Sequence, residues 1–168
     1  MRAEEGGASP AEIREAGRED IPQILDLIRE LSVYENLADQ VVATEDLLSE
    51  SLFGDVAIAE AFLADVDGDT VGFALFYQTF STFLAQTGIY LEDLFVKPAH
   101  RGRGIGRALL ERVASEAHAR RCGRLEWSVL DWNEPAIRFY ESLGAVAMDE
   151  WTTYRLTSQD IYRLAGPG

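Results

Sequence analysis

The sequence predicts a single α/β (α+β) domain, and three observations carry that expectation. A run of bulky and β-branched residues, Tyr90 to Val96, stops at Pro98 and passes through a glycine-rich turn into a helical pattern. Amphipathic helical stretches and a hairpin precede it, and strand and helix signals alternate after it. The 168 residues, 47% of them hydrophobic, suffice for one well-filled core.

Each element has a local cause. Residues 1–12, with Glu4, Glu5, Gly6, Gly7 and Pro10, read as a disordered leader, and the domain covers 13–168. Ile13 to Glu15 suits a short first strand. Asp20 is placed to cap a helix with Pro22 in its first turn, and Ile21, Ile24, Leu25, Ile28 and Leu31 form its apolar stripe to about Tyr34. Thr44 caps a second, short helix, with Glu45 and Asp46 in its first turn and Gly54 past its end. Ala57–Asp65 and Thr70–Thr79 read as strands joined by a tight turn at Asp67-Gly68-Asp69. The Tyr90–Val96 strand follows, then a helix to about Arg121, a buried strand at Arg124–Leu130, and a helix that Asn133 begins. Pro135 sits in that helix's first turn and Gly144 just past its end. A final strand is expected at Thr152–Leu156.

Composition excludes several classes. No apolar run approaches a membrane span, and Met1 to Pro10 lacks the apolar core of a signal peptide. Cys122 is the single cysteine, so no internal disulfide or cysteine metal cluster can form. His100 and His118 read as solvated surface residues, no metal site is expected, and the cytoplasm is the expected compartment. The net charge of −14 argues against electrostatic binding of nucleic acid. Its distribution is uneven. From Glu30 to Val96 there are 13 acidic residues and no Lys or Arg, whereas Lys97 to Arg124 holds 8 of the 15 basic residues. That split suits an enzyme joining a polyanionic cofactor to a cationic substrate; a solvated acidic surface would produce it as well.

The glycine turn is where the chemistry starts. Gly102, Gly104 and Gly106 alternate with Arg101, Arg103, Ile105 and Arg107 between a strand and a helix N-terminus. Missing side chains let backbone N–H groups approach phosphate oxygens, and the helix dipole adds partial positive charge. The spacing is neither a P-loop, Gly-x-x-x-x-Gly-Lys-Ser/Thr, nor the dinucleotide pattern Gly-x-Gly-x-x-Gly, because Arg107 stands where the third glycine belongs. A plain strand-to-helix turn remains the simpler alternative for this segment alone. Arg101 to Gly106 does match the Gln/Arg-x-x-Gly-x-Gly/Ala signature of the GCN5-related N-acetyltransferases (GNAT), whose loop grips the coenzyme A pyrophosphate. Asn133-Glu134-Pro135-Ala136 to Tyr140 and Gly144 resembles a second superfamily pattern, Asn-x-x-Ala-x-x-x-Tyr-x-x-x-Gly. The resemblance implies a mixed, mostly antiparallel twisted sheet with splayed central strands holding acetyl-CoA. It also implies that Asn133 and Pro135 lie near the cofactor and Tyr140 near its sulfur. The seven residues from Asn133 to Tyr140 make about two turns, so both share one helix face. A core aromatic with its hydroxyl at the surface is the alternative for Tyr140.

Within that superfamily, Tyr90–Val96, Asp131–Pro135 and Tyr34-Glu35 resemble diamine (spermidine/spermine-type) N-acetyltransferases. This resemblance implies that Glu92 lies beside the reacting amine, with Tyr34, Glu35 and Asp93 in the amine site, and that Tyr140 is the general acid. It further implies that backbone amides around Leu94, Phe95 and Val96 hold the acetyl carbonyl and pantetheine, and that the enzyme is a homodimer. Thr152 and Tyr154 depart from the acidic residue and tryptophan of that family, which favours a shorter amine.

The chemistry needs these residue types. An alkylamine of pKa about 10.4 is protonated at neutral pH, and reaching its nucleophilic form costs about 4–5 kcal/mol. Carboxylates at Glu92 and Asp93 attract the cation and pass its proton to water. In a regular strand Glu92 and Asp93 face opposite sides, so one of them is expected to be structural and Glu92 functional; pairing with a nearby arginine is the alternative for Glu92. A main-chain N–H, assigned to Leu94, meets the developing oxyanion, and Tyr140 protonates the departing thiolate. No acyl-enzyme is expected. The expected function is acetyl transfer from acetyl-CoA to a primary amine of a small cation. Two rivals are a protein N-terminal or lysine acetyltransferase and a non-catalytic acyl-CoA-binding module.

Overall fold

Two apolar faces on one sheet determine the architecture. The computed structural model describes residues 9–166. Its elements run β1 (Glu12–Glu15), α1 (Ile21–Tyr34), α2 (Glu45–Phe53), β2 (Glu60–Val66), β3 (Asp69–Ser81), β4 (Gln86–Val96), α3 (Ile105–Ala119), β5 (Leu125–Trp127), α4 (Glu134–Ser142) and α5 (Ser158–Ala165). The chain divides after Ser128 into two units. The first holds the sheet with α1, α2 and α3; the second holds α4 and α5.

Strands lie in the order β1-β2-β3-β4-β5, antiparallel throughout except for the parallel β4–β5 pair. This is the mixed, mostly antiparallel sheet expected from the sequence. Ile21, Ile24 and Leu27 of α1 and Leu52 of α2 pack on Ala61, Leu63, Phe73, Leu75 and Phe95 to form the core of one face. Residues of opposite pleat, Phe62 and Phe76, face α3, whose Arg112 and Arg120 lie over their rings at 4.2 and 5.9 Å. α3 buries Ile105, Leu109, Leu110, Val113 and Ala117 at helical spacing. The β2–β3 turn has Asp67 at φ 54° and Gly68 at φ 89°, the two positive values of a two-residue type I′ hairpin.

The helix signals hold in detail at three ends. Thr44 Oγ1 accepts from Leu47 N at 3.3 Å, and Asn133 Oδ1 from Ala136 N at 3.4 Å. Gly144, at φ 86°, ends α4 in a Schellman motif, with Ala145 N bonding Tyr140 O and Gly144 N bonding Glu141 O.

Several expectations are corrected. Of the expected leader, residues 1–8 lie outside the described residues, and Glu12 already belongs to β1. The second strand starts at Glu60, not Ala57, and β3 extends at both ends to Asp69 and Ser81. Asp20 does not cap α1 with its side chain. It accepts instead from Gly17 N at 2.7 Å and from both terminal nitrogens of Arg14 at 2.7 and 2.9 Å, closing a preceding 3-10 turn at Arg18–Asp20. The strand expected at Arg124–Leu130 is only Leu125–Trp127, half-buried, because among the described residues it lies at the sheet edge against β4 alone. The last expected strand, Thr152–Leu156, does not form. Its alternating pattern suits a strand, but a strand exists only with a ladder partner, and none is present among the described residues. Helix α5 follows there, capped by a reciprocal Thr157–Asp160 box.

Candidate active site

The site begins with a register shift in β4. Leu91 pairs with Phe76 and Asp93 with Leu75, so Glu92 is an extra residue with no opposite partner. This β-bulge reverses the pleat. Upstream, Tyr90 lies opposite Tyr77, with ring centroids 5.3 Å apart, and β3 alternation puts Tyr77 on the same face as Leu75 and Phe73. Downstream, Asp93 and Phe95 lie opposite those same two residues. Tyr90, Glu92, Asp93 and Phe95 therefore all project toward the α1–α2 side. The expectation that Glu92 and Asp93 face opposite sides is overturned, because it assumed an unbroken pleat.

Electrostatics agrees with that placement. Burial pushes the Asp93 carboxyl up to about 7, and the negative charges of Glu92 and Glu35 add to the shift. Burial also raises Glu35, the residue closing the C-terminal end of α1. The Tyr77 hydroxyl is raised by burial and then by Glu92 and Tyr90. Three carboxylates from two elements thus lie close enough to act on one another, with Tyr77 and Tyr90 beside Glu92.

The bulge also sets the backbone. Lys97 N donates to Val71 O at 2.8 Å, so Lys97, Phe95 and Asp93 point their N–H groups at β3. By alternation Leu94 and Val96 point theirs to the other flank. On that flank β4 pairs with β5 only through Ile89, Tyr90 and Leu91. The amides of Leu94 and Val96 thus lie where the two strands have already parted.

The glycine turn comes next. Gly102 and Gly104 have φ 74° and 78°, and a side chain built on either meets open space within 4 Å. Gly104 is the N-cap of α3 and supplies no side-chain acceptor, so the first-turn amides of Ile105, Gly106 and Arg107 face outward uncapped. This cradle of backbone donors at a helix N-terminus fits a pyrophosphate. The arginines point elsewhere. Arg101 Nε donates to Val96 O at 2.9 Å, and its guanidinium lies 4.4 Å from the Tyr34 ring and 5.5 Å from that of Phe95. Arg103 holds His100 Nδ1 and Ser9 O, and Arg107 pairs with Glu111. Among the described residues, no group of three His, Cys, Asp or Glu could hold a metal.

Asn133, Pro135 and Tyr140 belong to the second unit. Asn133 is buried and caps α4, Pro135 is exposed in the first turn, and Tyr140 is half-buried, its ring 5.2 Å from Phe139.

The family model described as the acetyltransferase (GNAT) family matches residues 24–145. The chain belongs to the GNAT acetyltransferase family. It is an N-acetyltransferase, and acetyl-CoA is the co-substrate of the family. Thialysine N-epsilon-acetyltransferase of Bos taurus is 39% identical over 92% of this chain and 96% of its own length. L-ornithine N5-acetyltransferase of Arabidopsis thaliana is 34% identical over 89% of this chain and 85% of its own. Among solved structures, an integron cassette protein from the mobile metagenome of V. cholerae superposes with a TM-score of 0.79 at 28% identity. That match covers 96% of this chain and 100% of that one. The GNAT sheet of the sequence-based reading is thereby established.

Tyr77 and Tyr90 escaped the sequence reading as site residues. A signal for them existed: aliphatic positions fall at Ile89 and Leu91, then shift parity to Leu94 and Val96, and such a shift marks a bulge.

Proposed function

We propose that this enzyme transfers the acetyl group of acetyl-CoA to a primary amine of a small cation with a second positive charge: a diamine, polyamine or lysine-like amino acid. The observation carrying this reading is the gathering of Glu35, Glu92 and Asp93 at the β4 bulge, immediately before the outward amides of Leu94 and Val96. Carboxylates in a half-buried pocket attract a dication more strongly than open water allows. Relatives named for thialysine and ornithine acetylation support an amino-acid-sized cation.

The residues divide the work. Backbone amides of Gly102 to Arg107 receive the pyrophosphate, with Asn133 and Pro135 also on the cofactor. Leu94, Phe95 and Val96 line the acyl arm, and the Leu94 N–H donates to the acetyl oxygen as it gains charge. Tyr34, Glu35, Glu92 and Asp93 hold the amine, and the Glu92–Asp93 pair relieves it of its proton. Tyr140 protonates the leaving thiolate. The match over 24–145 spans both units and supports one acetyltransferase domain over 13–168. A homodimer is supported by exposed aromatics of the second unit, Trp151 at 73% and Tyr154 at 92%; a cytoplasmic location completes the reading.

The test is acetyl-CoA consumption across a panel of amines. Diamines and lysine analogues should exceed spermine in kcat/KM, and added salt should raise KM. Equal turnover of neutral-tailed monoamines without salt dependence would reject the dication site.

A further inference from the structure

We infer that Asp93, rather than Glu92, is the group that takes the proton from the substrate ammonium, with Glu92 and Glu35 holding the cation against it. The inference rests on the amine-acetylation reading above and deepens it.

The geometry singles out Asp93. At the bulge Glu92 is the exposed extra residue, whereas Asp93 is paired in register with Leu75 and recessed between that residue and Phe95. It is also next in sequence to Leu94, whose amide points to the parted flank. A recessed base can meet an amine only after the amine has shed water, which is when deprotonation serves attack. Among the described residues, the charges acting on it are Glu92 on its own strand and Glu35 at the end of α1, with Tyr77 of β3 and Tyr90 of β4 in the same cluster beside Glu92. Arg101 lies beyond Phe95, over Tyr34.

Chemistry separates the two carboxylates. Proton transfer from an alkylammonium to an ordinary aspartate is strongly unfavourable, and raising the acceptor from 3.8 to about 7 improves the equilibrium by about 10³-fold. Asp93 still remains largely ionised just above neutral pH, as a base must. The step balances: the ammonium N–H breaks and its proton passes to an Asp93 oxygen. The freed lone pair forms the C–N bond to the acetyl carbon, the C–S bond breaks, and the thiolate takes a proton. The second nitrogen proton, acidic in the tetrahedral adduct, passes to solvent as the amide forms and balances the proton the thiolate takes up. Asp93 returns its own proton to solvent, so one proton is released per turnover.

The experiment is the pH dependence of kcat/KM with a reactive diamine for wild type, D93N, D93E and E92Q. Wild type should show an acidic limb centred near pH 7. D93N should lose about 10²–10⁴-fold in kcat/KM and lose the limb, and D93E should restore part of the rate with a displaced limb. E92Q should raise KM and move the limb to lower pH, since removing a neighbouring negative charge lowers the Asp93 pKa. An E92Q limb that stays put or disappears, or a D93N enzyme with an intact limb, overturns the inference. The wild-type and E92Q profiles decide it even where D93N does not fold. Absence of turnover by wild type on every amine would instead overturn the underlying reading.

Discussion

Replacing Arg101 by Gln tests whether the first residue of the glycine signature binds phosphate or braces the protein. The guanidinium makes one charge-assisted bond, to Val96 O at 2.9 Å, and stacks on Tyr34 at 4.4 Å. For a largely exposed group the bond contributes about 1.5 kcal/mol, the low end for charged donors. Stacking adds about 0.5 kcal/mol, and the Phe95 contact at 5.5 Å, near the limit of the effect, adds little. The loss is then about 2 kcal/mol, or a fall in Tm of about 4–8 °C for a chain of this size. Because Tyr34 and Glu35 end α1 beside the carboxylates, the KM for amine should rise, while acetyl-CoA affinity changes less than about threefold. Arg101→Lys should behave like Arg101→Gln, since an ammonium lacks the planar fork and the Nε donor. Thermal unfolding, calorimetric acetyl-CoA binding and steady-state kinetics provide the three readouts. A tenfold loss of acetyl-CoA affinity rescued by lysine, with Tm and amine KM unchanged, would refute the bracing role.

Four further outcomes are expected. Gly104→Val forces a β-branched residue to φ 78° and places it over the uncapped helix start, so acetyl-CoA affinity measured by calorimetry should fall at least tenfold. Tyr140→Phe should lower kcat about 10²-fold or more under chemistry-limited conditions with acetyl-CoA affinity retained. Asp20→Asn should destabilise the fold by roughly 1–3 kcal/mol at neutral pH, as a hydrogen bond to a charged partner is weakened. The Arg14 guanidinium holds the Asp20 carboxyl below its usual range. That stability is therefore present above the unfolded-state pKa near 4 and disappears as pH falls through the lower folded value, so wild type and variant should converge in acid. Light scattering should give twice the 18.7 kDa chain mass at micromolar concentration.

Much of the fold was legible because its signals are local. Thr44, Asn133-Glu134-Pro135 and Gly144 mark helix ends through single hydrogen bonds or one positive φ, and Asp67-Gly68 specifies its own turn. What stayed hidden depended on partners distant in sequence. The alternation from Thr152 to Leu156 says nothing about whether a neighbouring strand is available, and Asp20 turned from a helix cap to Arg14 because Arg14 also bonds Asp65, 51 residues away. Helix α5 was legible and overlooked: Thr157-Ser158-Gln159-Asp160 is a capping-box pattern. In the site, the glycine turn was readable from composition alone. The roles of Glu92 and Asp93 were not, since a bulge is a relation between two strands.

The extra residue at Glu92 makes the pocket depend on a count as well as on chemical identity. Tyr90 and Phe95 are five positions apart and share a side, which no unbroken strand permits. Downstream, Gly72 closes on the Phe95 carbonyl, where an added Cβ would come within 2.7 Å, so that end of the strand cannot slide to compensate for a change in length. Deleting one residue between Tyr90 and Leu94 would leave a sound sheet and a good hydrophobic pattern, yet return the strand to an even phase. Tyr90 and Phe95, then four positions apart, would still share a side, but only one carboxylate could stand between them on it. A related chain can therefore keep an acidic residue at this place and still lose the pair of carboxylates through a shift of one in spacing.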